Sequence, residues 1–145
     1  MVEVQFRFRD DEAVNDPAVT VDNFAEQSNA TAVRIEPGDD ARALLPYLDR
    51  LALVEVSFPA WTDGRGYSSG RLLREAGYTG ELRAVGDVVV DMIAHLRRCG
   101  FDAFAPDKAL NPGDAQNTFD RWDNVYQATV VDGRPAIWAK RHPAA

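Results

Sequence analysis

Three arginines and an aspartate are set among glycines and serines in the stretch DGRGYSSGRLLR, Asp63–Arg74. Arginine suits phosphate, sulfate or carboxylate because its planar fork donates two parallel hydrogen bonds. Gly64 and Gly66 leave room around Arg65. Ser68 or Ser69 is placed to cap a following helix, whose free N–H groups are themselves an anion site. The stretch reads as an oxyanion-binding loop. It reads equally as a tight strand-to-helix turn, with Asp63 bracing Arg65 and with Arg71 and Arg74 on a solvated face. It is neither of two common nucleotide loops. The lysine followed by Ser or Thr is missing, and Gly64, Gly66 and Gly70 depart from G-x-G-x-x-G spacing.

Other groups carry weaker signals. Asp87, Asp91 and His95 follow one another at steps of four, so one helix would present them on a single face. The trio is the best metal arrangement in the chain, but a fourth ligand is missing from the pattern. We therefore expect no metal site, with Asp87 equally suited to cap a helix. Cys99 is the only cysteine. It has no C-x-x-C partner and reads as a packed core residue. Trp61, Trp122, Trp138, Tyr67 and Tyr126 fit core and edge packing, or an interaction surface.

The elements that must position these residues follow from hydrophobic rhythm. VEVQFRFR, Val2–Arg9, alternates as a half-exposed strand. Asp10–Asn29 is acidic, polar and without steady period, which predicts a loop or arm. From Thr31 the pattern becomes strand then helix, about four times: TAVRIEP, ARALLPYLDR, LALVEVSF, SSGRLLREAG, ELRAVG, VVVDMIAHLRRCG, FDAF and DAQNTFDRWDN. Pro46 forces the first helix to be short or bent. Asp132-Gly133 marks a hairpin-like tail. Repeated short βα units predict an α/β fold, a small mainly parallel open sheet or half-barrel-like domain with strands buried on both faces. The expected divisions are 1–30 (N-terminal strand and acidic arm), 31–128 (core) and 129–145 (tail). Loops leaving the C-terminal ends of parallel strands share one edge, where ligands bind. That order gathers Asp63, Arg65, Asp87 and Asp107 at one crevice, with Arg83 just beneath it.

Composition narrows the partners. The chain has 145 residues and 46% hydrophobic content, enough for one domain with a core. Its net charge of −7 makes nucleic acid a poor whole-surface partner. A single cysteine fits a reducing compartment. Neither a secretory leader pattern nor a membrane-length apolar run is present. We expect a soluble cytoplasmic protein.

The long ordered block DGRGYSSGRLLREAGYTGELRAVGDVVVDMIAHLRRCGFDAF, Asp63–Phe104, closely resembles the bacterial DUF934 family. The resemblance spans most of Thr31–Gln127. Its pattern falls on Asp63, Gly64, Arg65, Gly66, Ser68, Arg71, Arg74, Gly80, Glu81, Arg83, Gly86, Asp87, Asp91, Arg98, Cys99, Gly100, Phe101 and Asp102. Where relatives often have glutamine after the helix aspartate, this chain has Met92. Family members are often labelled oxidoreductases of sulfite reduction, which implies a place in sulfur assimilation. One cysteine cannot supply the cysteine set of an iron–sulfur cluster. The resemblance thus implies an accessory protein that binds an oxyanion, or a partner such as sulfite reductase, through Asp63, Arg65, Ser68, Arg83 and Asp87. An oxidoreductase subunit using an externally bound cofactor, and an oligomeric structural module, are the alternatives. The cofactor and the ligand have no sequence assignment.

Overall fold

The computed structural model describes residues 4–26 and 29–120. They form a mixed α/β fold around one six-stranded open sheet. In chain order the elements are β1 (Phe6–Arg7), β2 (Val19–Thr20), α1 (Val21–Glu26), β3 (Ala32–Ile35), a 3-10 helix (Ala41–Arg50), β4 (Leu53–Phe58), α2 (Arg65–Glu75), β5 (Glu81–Gly86), a 3-10 turn (Val90–Met92), α3 (Ile93–Arg98), β6 (Ala103–Pro106) and α4 (Pro112–Asp120). The expected tail hairpin at Asp132-Gly133 lies outside the described residues. No helix among the described residues is long and apolar enough to cross a membrane.

The sheet runs β1-β6-β5-β4-β3-β2. Strands β2 to β6 are parallel, each beside its chain neighbour, and β1 closes the far edge antiparallel to β6. Every crossover therefore steps in the same direction. Right-handed crossovers that never reverse must put their helices on one face. Accordingly Val33, Ile35, Val54, Val56, Phe58, Leu82, Ala84 and Phe104 from the sheet join Leu44, Leu73, Ile93, Leu96 and Ala115 from the helices in one apolar cluster.

The central strands are buried on both faces, as expected from the sequence, but the second face is not apolar throughout. That face carries the alternate residues. Arg34, Glu55 and Arg83 stand side by side in register on β3, β4 and β5, and Arg7 joins the same row beyond Ala103. The alternation of charge within apolar strands, VRI, VEV and LRA, is a period-two signal.

Local structure departs from the sequence reading in two further places. Asp10–Asn29 is not all loop: Val19 pairs with Val33, and α1 buries Phe24. Thr20 Oγ1 accepts the Asn23 amide at 3.2 Å and so starts that helix. Pro46 is accommodated inside a 3-10 helix, begun by Asp40, whose carboxylate accepts the Arg42 N–H at 3.0 Å.

Candidate functional site

The C-terminal ends of β3, β4, β5 and β6 lie along one edge, and the β4–α2 loop is its most prominent part. Asp63 Oδ1 accepts both the backbone N–H and Nε of Arg65, and Oδ2 accepts Nη2 at 2.7 Å. The guanidinium holds the Asp63 carboxyl down at about 2. Asp63 thus does the starting work expected of Ser68 or Ser69. The cap position itself is Gly64, without a side-chain bond, and both serines lie inside α2, with Ser68 exposed.

The glycines of the stretch serve contact between α2 and the sheet. A Cβ on Gly66 would stand 2.7 Å from the Phe58 ring, and one on Gly70 would overlap Phe101. At the end of β5, Gly86 has φ +99° and passes the backbone of Phe58 too closely for any side chain.

Asp87 does not cap a helix. The next 3-10 turn begins after Val89, and Asp87 Oδ2 instead accepts the backbone N–H of Trp61 at 2.9 Å. Its own N–H donates to Phe58 O at 2.7 Å. The β5 end therefore pins the β4 loop. That loop holds Trp61 out in solvent at 61% exposure, and Val89 is the exposed apolar residue beside Asp87. Arg65 is also largely exposed, at 64% of its side chain.

Next to this loop, a cavity of about 200 Å³ is lined by Glu36, Gly38, Asp39, Ser57, Arg65 and Ser69, among others. Two carboxylates share it with a single arginine that Asp63 already engages. An oxyanion would meet net negative charge there.

Arg83 is not brought to this edge. It lies 6% exposed on the second sheet face, in hydrogen bonds with Glu55 and Glu81, and donates to Val14 O at 2.8 Å. It lines a different, larger cavity with Arg34 and Glu55. Arg34 and Glu55 received no role in the sequence reading. Their shared strand phase with Arg83 was the available signal.

Arg74 also departs from expectation. It is buried rather than solvated. Nε donates to Gly100 O, Nη1 to Tyr78 O and Gly80 O, and Nη2 to Asp102, each at 2.8 Å. Arg71 does lie on the surface, paired with Glu75 one turn away. The Asp87, Asp91 and His95 trio does not assemble. Among the described residues no group of three His, Cys, Asp or Glu side chains stands close enough to hold a metal ion. Cys99 is buried at the end of α3, its Sγ 3.9 Å from His95 Nε2. Burial pushes its thiol up and the His95 imidazolium down in pKa.

Comparison with known families gives a match over residues 32–137 to a family described as "Bacterial protein of unknown function (DUF934)". The chain belongs to the DUF934 family. No curated protein and no solved structure matches it significantly. The family's sequence block now divides in two. GRGYS and GDV build the exposed edge, whereas RE, GYTGE and RCGFD surround buried Arg74 at the opposite ends of the strands.

Proposed function

We propose that this DUF934 protein is an accessory factor of assimilatory sulfite reduction that docks on a partner enzyme through its C-terminal strand edge. The observation that carries this reading is Trp61. Trp61, 61% exposed, leaves apolar surface in water with no intramolecular burial to offset it, yet its loop is held in place by Asp87. Tryptophan and arginine dominate the energetic centres of protein interfaces, and a pinned loop loses little entropy on binding. Val89 adds apolar area, while Asp63, Arg65 and Asp87 supply a polar surround. The acidic lining beside Arg65 favours docking over oxyanion capture, and it favours a partner with basic groups around an apolar pocket. The link to sulfite reduction rests on the family resemblance, and sulfite reductase is the partner to test first.

Calorimetry of the full chain with sulfite reductase is expected to show saturable binding. Trp61→Ala should weaken it by about 30-fold or more, the loss typical of an interface centre. Arg71→Ala, on the exposed side of α2, should leave it unchanged. Absence of a complex, or equal binding by Trp61→Ala, would sink this reading.

A further inference from the structure

The second face of the sheet carries an ion-pair chain that crosses the molecule. Arg34 pairs with Glu55, Glu55 with Arg83, Arg83 with Glu81, and Glu81 with Arg7. From there the chain continues through Asp11, Arg9 and Asp102 to Arg74. Charges alternate throughout, and five arginines face four carboxylates. Buried ion pairs seldom stabilise a fold more than apolar packing would. A sheet face that keeps them invites a reason beyond stability.

The two ends of this chain differ. At one end all three guanidinium nitrogens of Arg74 are satisfied by protein acceptors. At the other, Arg34 gives Nε and Nη2 to the same Glu55 oxygen, at 3.0 and 2.8 Å. Its Nη1 has no partner among the described residues, and its side chain is 38% exposed. The other orphan donor of the chain, Arg7 Nε, is shut away from solvent.

Arg34 stands at a cavity of about 680 Å³, a size suited to a small organic molecule. Arg34, Glu55 and Arg83 supply its charged wall, and Val4, Val14, Pro17 and Ala18 supply apolar wall. Residues 13–18 cross the sheet here, fastened by the bond from Arg83 to Val14 O. Asp16 lines the cavity too, with one carboxylate oxygen accepting the Thr31 hydroxyl. Its charge favours a singly over a doubly charged anion.

We propose that this cavity binds a small organic monocarboxylate, its carboxylate on Arg34 Nη1 and its apolar body against Val4, Val14, Pro17 and Ala18. The bound anion is the missing fifth carboxylate of the chain. The site is independent of the Trp61 edge, so either can fail without the other.

The test uses the full chain with hexanoate and benzoate as probes, and hexanamide and benzamide as uncharged controls of the same shape. Amide-resolved NMR should show saturable shifts at residues 13–18 with the carboxylates and none with the amides. Arg34→Gln should weaken binding by about tenfold or more, the worth of a charge-assisted hydrogen bond. Ala18→Phe fills the cavity and leaves every ion pair in place, so it should abolish the shifts whether or not Arg34→Gln folds. The proposal is overturned by no saturable shift, by an equal response to the amides, by undiminished binding to Ala18→Phe or to folded Arg34→Gln, or by shifts confined to the shallow arginine-lined depression around Thr79.

Discussion

Asp63 shows how much one aspartate does when it sits two residues before an arginine. It accepts the Arg65 N–H, starts α2 and fixes the direction of an exposed guanidinium. Its carboxyl, ordinarily near 3.8, is held at about 2. A depressed carboxyl stabilises the folded state above its unfolded value. That contribution is lost as pH falls from about 4 through about 2. Carbon-detected NMR should place the Asp63 midpoint near the lower value and, in Arg65→Ala, return it toward 3.8. An unmoved midpoint would mean that Arg65 is not its partner in solution. The pairing was legible in the sequence as D-x-R. The partner of Asp87 was not, because the Trp61 amide lies 26 residues away in the chain and arrives only when β4 and β5 pair.

At the scale of the element, α2 illustrates two uses of small residues. Gly66 and Gly70 are four apart and face the sheet, where Phe58, Val56 and Phe101 leave no space for a methyl group. In an exposed helix Gly→Ala gains about 1 kcal/mol. Here overpacking should reverse the sign. Gly70→Ala is expected to destabilise by about 1–3 kcal/mol in urea unfolding, and Gly66→Ala to follow it. Ser68→Ala, at an exposed position, should stay within about 0.5 kcal/mol. A stabilised Gly70→Ala would show that α2 does not sit against Phe101. Glycine-rich composition suggested a ligand loop, but these two glycines are needed for packing. The sequence cannot tell the two apart, since both require the absence of a side chain. Pro46 is a different case: its missing N–H signalled a disturbed helix in the sequence, but the ten-residue 3-10 form that accommodates it appears only in the structure.

At the scale of the whole molecule, the unreversed strand order explains why the sheet has unlike faces. The helices among the described residues cover one side, so the other is free to carry Arg34, Glu55, Arg83 and Glu81. Arg83 is the middle of that array. Arg83→Met would leave Glu55 and Glu81 buried without their shared cation. Each keeps one cation, Arg34 for Glu55 and Arg7 for Glu81, so we expect a loss of about 1–3 kcal/mol, measured by denaturant unfolding. A neutral outcome would show that the ion-pair chain is dispensable. The amino-acid sequence by itself determined the βα rhythm, the parallel sheet and the family, because strand alternation, helix stripes and turn glycines are local signals. It also set the Asp63–Arg65 pair. Only the tertiary structure decided that Arg83 belongs with Arg34 and Glu55 and not with Arg65, that Arg74 is buried, and that Trp61 is held exposed. Each of those depends on which strands become neighbours and which face the helices take, and contacts between distant residues set both.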